Sequence, residues 1–242
     1  MILYYAPLAY VASASTSDPG YPASHLETPA VARPWRATSG GSGWIQASGI
    51  QEGRVYPALQ GVSSGLSVSG MTVGTPNPPT TPIVGTLPLH ADAAGRRKGI
   101  ATAASDIYLG AFNLRLSLSL VGGDTIGAMY LFSEALALPD ALLNAEVRVE
   151  YPQSMVSLPN GVRFPVDQGI PRTRITLRWR RPRAQDLLAV ARLARAGICW
   201  LDLQNPDQPG WQWPVRCITP DHVLQVVAAR QDEVNIEFVE VA

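Results

Sequence analysis

The segment Phe112 to Leu120, FNLRLSLSL, constrains the fold more than any other stretch of the chain. Phe112, Leu114, Leu116, Leu118 and Leu120 alternate with Asn113, Arg115, Ser117 and Ser119, and successive side chains of an extended chain point to opposite faces. A helix would scatter these leucines around its circumference. The segment therefore predicts a half-buried strand, in a sheet whose apolar face is closed by a second layer.

Composition extends this reading to the rest of the chain. Hydrophobic residues make up 46% and charged ones 16%, with 21 Gly and 21 Pro, a balance that suits many short strands and turns better than a helical bundle. The 242 residues can hold one large or two modest domains with real hydrophobic cores, and two is the preferred reading. Residues 2–12 predict a first strand, followed by a turn-rich wrap over 16–32 with Pro19, Gly20, Pro22 and Pro29. Trp35 and Trp44 flank a Gly/Ser loop, and residues 54–59 and 65–73 are short segments with turn residues between them, which is a β-sandwich pattern. Residues 74–88, GTPNPPTTPIVGTLP, are too rich in proline for an interior strand and are expected along an edge or over the surface. GRRKG, 95–99, reads as a basic loop. VGGDT predicts a turn that returns residues 126–132 as the antiparallel partner of 112–120.

The character of the chain shifts near residues 136–146 from Gly/Ser/Pro-rich to Arg-rich, which places a domain boundary there and gives domains 1–140 and 141–242. In the second, Ile175, Leu177 and Trp179 alternate with Thr176, Arg178 and Arg180, another half-buried strand. Leu187, Leu188, Ala191 and Ala194 then lie at helical spacing, so one packed α-helix is expected near residues 183–196. Asp186 in its first turn and Arg192 and Arg195 in its last suit the helix dipole, and Gly197 can end it. Extended runs follow at 198–203, 223–229 and 234–241. The fold class is mainly β: a jelly-roll-like β-sandwich, then a second β-domain carrying one helix.

Signals for chemistry are weak. Gly61, Ser63 and Gly65 match GxSxG, but no helical stripe follows the serine, so a turn between strands is the better reading. His25, His90 and His222 share no metal-binding spacing, Cys199 and Cys217 form no CxxC pair, and GRRKG lacks the phosphate-loop frame. The cysteines are expected as reduced, buried thiols. The acidic pairs Asp232 with Glu233 and Glu237 with Glu240 read as solvated charge on a closing hairpin. No catalysis, metal or cofactor is expected. The opening MILYYAPLAYVASAS lacks a basic start and is interrupted by Pro7, so it reads as a strand and loop and not as a secretion signal. No apolar run approaches the roughly 18 residues that span a bilayer.

Two binding features remain. Trp35 and Trp44 are candidates for stacking on a sugar, with core packing as the preferred reading. Arg172, Arg174, Arg178, Arg180, Arg181 and Arg183 form the densest charge in a chain whose 19 basic and 19 acidic residues cancel. Arg178, Arg180, Arg181 and Arg183 are the candidate subunit interface, since arginine is enriched where proteins meet, and an interface or a simple solvated face is preferred to sequence-independent DNA contact.

In layout the two halves resemble the distal tail proteins of long-tailed bacteriophages and gene transfer agents. YPASHLETPAVARPWRATSGGSGWIQA, VYPALQGVSSGLSVSGMTVG and LRLSLSLVGGDTIGAMYLFSEAL look like a discoidin-like jelly roll. RTRITLRWRRPRAQDLLAVARLARAGICWLDL, a Pro/Trp loop and the closing EVNIEFVEVA look like the strand, helix, strand unit of the tail-tube fold. Here the jelly-roll-like half comes first, whereas members of the family commonly place the tube-like domain first. The resemblance implies a ring, a hexamer or a trimer of the chain itself, joining the tail tube to the tail tip or baseplate without catalysis. Its partners would be the tail tube protein and the hub or baseplate proteins, with no membrane and with DNA only as cargo passing through. Such a protein is assembled in the host cytoplasm and resides in the virion. The alternative function is a carbohydrate-binding module used in host attachment.

Overall fold

The computed structural model describes residues 1–27, 33–91, 95–138, 142–151, 153–157, 163–167, 172–180, 197–219 and 233–241. In chain order the strands are β1 (Ile2–Pro7), β2 (Val11–Ala14), β3 (Trp35–Arg36), β4 (Gly41–Ile50), β5 (Tyr56–Val62), β6 (Ser67–Gly74) and β7 (Thr81–Pro82). They continue as β8 (His90–Ala91), β9 (Arg97–Ile100), β10 (Phe112–Leu120), β11 (Thr125–Ile126), β12 (Ala128–Ala137) and β13 (Leu142–Glu150). The last are β14 (Gln153–Ser157), β15 (Arg163–Asp167), β16 (Arg172–Arg180), β17 (Cys199–Asp202), β18 (Gln212–Cys217) and β19 (Glu233–Glu240). A 3-10 turn, Ala23–Leu26, is the one helical segment among the described residues. The helix expected near 183–196 and the strand expected at 223–229 lie outside them.

The chain forms two compact units, Met1–Leu138 with Cys199–Trp213, and Pro139–Ile198 with Pro214–Ala242. The first crossing falls beside the boundary read from sequence. Residues 199–213, assigned by sequence to the second domain, belong to the first unit because β17 pairs antiparallel with β1, Leu3 opposite Leu201 and Tyr4 opposite Trp200.

The first unit is a β-sandwich. One sheet runs β2-β4-β10-β6-β7, and the other contains β17-β1-β12-β5-β9-β8. The inward row of β10 is closed off, with Leu116 at 0% and Leu120 at 6% exposure, and packs in one core with Ile45, Leu59, Met71, Met129 and Leu131 from strands of both sheets. Each such side chain contributes roughly 1.5 to 3 kcal/mol of hydrophobic stabilisation. The proline-rich segment supplies β7, an edge strand, as its missing N–H groups require.

Three sequence expectations are corrected. Residues 126–132 do not return as the partner of β10: β12 pairs with β1 and β5 in the other sheet, while β10 lies between β4 and β6. VGGDT is thus a corner between sheets. The Asp124 carboxylate accepts the Val121 N–H at 2.6 Å and the Ser63 hydroxyl at 2.5 Å, so the chain is tied across before it can double back. Residues 2–12 are not one strand: Ala6 has a positive φ of 55°, β1 ends at Pro7, and the chain enters the opposite sheet as β2. GRRKG is not a solvated loop either. Arg97 and Lys98 lie in β9 between β5 and β8. Lys98 is buried with its Nζ 5.0 Å from the Trp213 ring centre, and Arg97 Nη1 donates to the carbonyls of Ser63, Ser64 and Leu66.

In the second unit, β13-β16-β19-β18 form an antiparallel sheet, and β14 and β15 form a hairpin. The alternation read from sequence holds: Ile175, Leu177, Ile236 and Phe238 are buried, while Arg178 is exposed. The buried Glu240 carboxylate accepts the Thr173 N–H at 3.1 Å and its hydroxyl at 2.8 Å.

Two glycines give a stability test. A Cβ on Gly99 would stand 1.8 Å from the Pro88 carbonyl oxygen, while one on Gly70 would meet only the Ser117 Cβ at 3.9 Å. Gly99→Ala should destabilise the protein by about 3 kcal/mol or more, and Gly70→Ala should stabilise it by about 0.5 kcal/mol. Denaturant unfolding of the two variants checks both, and equal midpoints would show that the β8–β9 packing is wrong.

Candidate functional site

Trp35 and Trp44 are separated by burial. Trp35 is fully buried, its Nε1 donating to the Thr16 carbonyl at 3.2 Å, so as a sugar platform it is excluded and it is a core residue. Trp44 is half-buried on the outer face of the five-stranded sheet, opposite Ser117 of β10. Ser63 occupies the turn between β5 and β6, donates to Asp124 and accepts the Thr125 N–H at 3.1 Å. Its hydroxyl therefore holds the sheet corner. His25 Nδ1 lies 3.3 Å from the Pro34 carbonyl, and His222 lies outside the described residues. Cys199 and Cys217 are both buried. Among the described residues no group of three or more His, Cys, Asp or Glu could hold a metal, and no helix is long and apolar enough to cross a membrane.

The arginine row carries its own counter-charges. Arg178 pairs with Glu146 at 3.3 Å, and Arg174 with Glu150 at 2.8 Å and Glu237 at 3.5 Å, all across neighbouring strands. Arg148 also pairs with Glu146. Such exposed pairs contribute about 0 to 1 kcal/mol each. Their consequence is electrostatic: the sheet face is a mixed-charge ladder more than a basic rim. The side chain of Arg180, and Arg181 and Arg183 entirely, lie outside the described residues.

Around Trp44 the outer sheet face builds a rigid cationic site. The Arg115 guanidinium stacks 4.2 Å from the Trp44 ring centre. Gln46 Oε1 accepts from Arg115 Nε at 3.0 Å and Nη2 at 2.7 Å, while its Nε2 donates to Ser48 Oγ at 3.0 Å and Asn77 Oδ1 at 2.9 Å. Gln46 is 2% exposed and has every donor and acceptor engaged, which fixes both its amide and the arginine it holds. The sequence placed Arg115 on the polar side of β10. Only the register, Arg115 opposite Gln46 and Ser117 opposite Trp44, brings the group together.

A cleft of about 330 Å³ also lies in the first unit, lined in part by Tyr4, Pro88, His90, Thr102, Asp202 and Pro206. Asp202 Oδ1 accepts the Gln204 N–H at 2.8 Å, across a turn where Gln204 has a positive φ of 50°. Burial pushes the Asp202 carboxyl above its ordinary range, opposed by that hydrogen bond, by the terminal amine and by His90. His90 and Asp202 share this cleft although sequence shows them as unrelated. Burial, with the Asp202 and Tyr56 charges, pushes the Tyr4 phenol from 10.0 up to about 12.

Between pH 10 and 12 the unfolded chain releases the Tyr4 phenolic proton while the folded chain retains it, so stability falls as pH rises through that window. Tyr4→Phe should lose less stability over it than the wild type, as read by urea unfolding at successive pH values. Parallel losses in the two proteins would show that Tyr4 is not the group responsible.

No protein-family model and no curated protein matches the chain. Among solved structures it is similar to chitosan-binding module 1 of a chitosanase/glucanase from Paenibacillus sp. IK-5, with TM-score 0.37 and 18% identity over 52% of this chain and 96% of that one. A selenomethionine-labelled point mutant of the same module gives TM-score 0.31 and 12% identity over 53% of this chain and 98% of that one. Similarity at this level identifies no family.

Proposed function

We propose that this chain is a non-catalytic structural subunit of a phage or gene transfer agent tail, a distal tail protein whose copies form the ring between tail tube and tail tip or baseplate. The observation that carries the reading is unfinished strand pairing in the second unit. β13 spans nine residues, Leu142–Glu150, and among the described strands it pairs on one side only, with β16. A free edge of that length is a template for another chain unless something covers it. The β14–β15 hairpin forms five residue pairs and has no third strand among the described residues. Two strands alone are marginal in water and need a further surface. Val149 and Tyr151, just before the hairpin, are 46% and 62% exposed. In a ring, one copy's edge and hairpin would meet a different face of the next, the head-to-tail contact that cyclic closure requires. The tail tube protein and the hub or baseplate proteins would bind the two rims.

A second reading, carbohydrate binding in host attachment, is favoured by one observation: half-buried Trp44 beside an ordered guanidinium on a hydroxyl-lined sheet face. It uses the first unit and leaves the assembly surface free.

Native mass spectrometry tests the assembly reading. The wild type should give one closed oligomer of fixed size, and replacing Gln153–Asp167 by a short Gly/Ser turn should give monomer with the melting of the first unit unchanged. A wild-type chain that stays monomeric and never joins tails would remove the proposal.

A further inference from the structure

We infer that the outer face of the β2-β4-β10-β6-β7 sheet binds a carboxylated saccharide, with Arg115 as its acid-recognising group. The inference rests on the carbohydrate-binding reading and names the ligand's charge class. Its foundation is an electrostatic imbalance. The five strands contain no Asp or Glu, and their one charged side chain is Arg115. Arg115 makes no ion pair among the described residues; its partners are the neutral Gln46 and the Trp44 ring.

Orientation makes that charge usable. Gln46 occupies the guanidinium edge formed by Nε and Nη2, and Trp44 holds the plane of the group. The edge formed by Nη1 and the second Nη2 hydrogen remains, two parallel donors of the shape that takes a carboxylate in a fork. Because Gln46 is buried and saturated, the arginine gives up little rotamer freedom on binding.

The surroundings select the rest of the ligand. Outward neighbours in register are Ser13, Thr72, Ser117 and Gly70, small groups that both donate and accept toward hydroxyls and leave the floor open. The exposed part of the Trp44 ring offers an apolar surface for sugar C–H groups. A single cation is too little for nucleic acid, whose affinity comes from many phosphates neutralised together. A peptide adding as a strand would need an edge, and this is a face.

Affinity electrophoresis of the full chain tests the inference, in gels containing polygalacturonate, alginate, hyaluronan or polysialic acid, each paired with its carboxyl-reduced form. At least one carboxylated polymer should retard the protein, and its reduced form should bind about tenfold or more weaker. Arg115→Gln should lose the same factor, and added salt should weaken the wild type and not the variant. Ser117→Asp leaves the Arg115–Gln46 pair in place and sets a carboxylate beside it, so it should abolish retardation with unchanged melting. Equal binding of acidic and reduced polymers, insensitive to Arg115→Gln but lost in Trp44→Ala, would overturn the acid specificity and leave the carbohydrate reading standing. No retardation by any polymer would overturn both.

Discussion

Burial of the inward row of β10 is the constraint on which the first unit depends. Phe112, Leu114, Leu116, Leu118 and Leu120 are all nearly inaccessible, and β10 lies between β4 and β6 along almost its full length. A strand so apolar on one side cannot be an edge or a surface strand without exposing several leucines. A second sheet must cover it, and the cover comes from Leu59, Met129 and Leu131 of β5 and β12. The corner at Asp124 follows from the same need, because the chain leaving β10 has to cross to the covering sheet. Asp124 satisfies that crossing by accepting Val121 N–H and Ser63 Oγ–H, and Arg97 pins the facing turn through three carbonyls.

Strict packing inside leaves the outward positions free to differ, and the two units use them differently. On the outer face of the five-stranded sheet the polar residues are uncharged except for Arg115, held by Gln46 and Trp44. In the second unit, Glu146, Glu150 and Glu237 answer Arg174 and Arg178 across the strands. In the first arrangement the partners of the guanidinium among the described residues, Gln46 and Trp44, are neutral. In the second, Arg174 and Arg178 are paired within the sheet, and among the described strands β13 pairs on one side only.

Much of this was legible beforehand because alternation is local. The half-buried strands at 112–120 and 172–180, the edge placement of the proline-rich segment, the turn at Ser63 and the burial of Trp35 each follow from residue types within a few positions. The Arg115 site was not legible. It needs Trp44 and Gln46 from β4, Asn77 from a loop and Arg115 from β10, and no spacing in the chain announces that these meet. Lys98 illustrates the same limit: GRRKG reads as a basic loop, yet Lys98 is buried beside Trp213, which arrives from the far end of the chain.

Sequence by itself therefore determined the class of structure: strands, their inward faces and the β-sandwich, all properties of neighbouring residues. Tertiary structure decided which strands share a sheet. A turn such as VGGDT can fold back on its own strand or cross to the opposite layer at similar local cost, and the choice is made by which arrangement covers the leucines of β10. That choice sends β12 to β1 and β5, draws residues 199–213 into the first unit, and brings Arg115, Gln46 and Trp44 into one site.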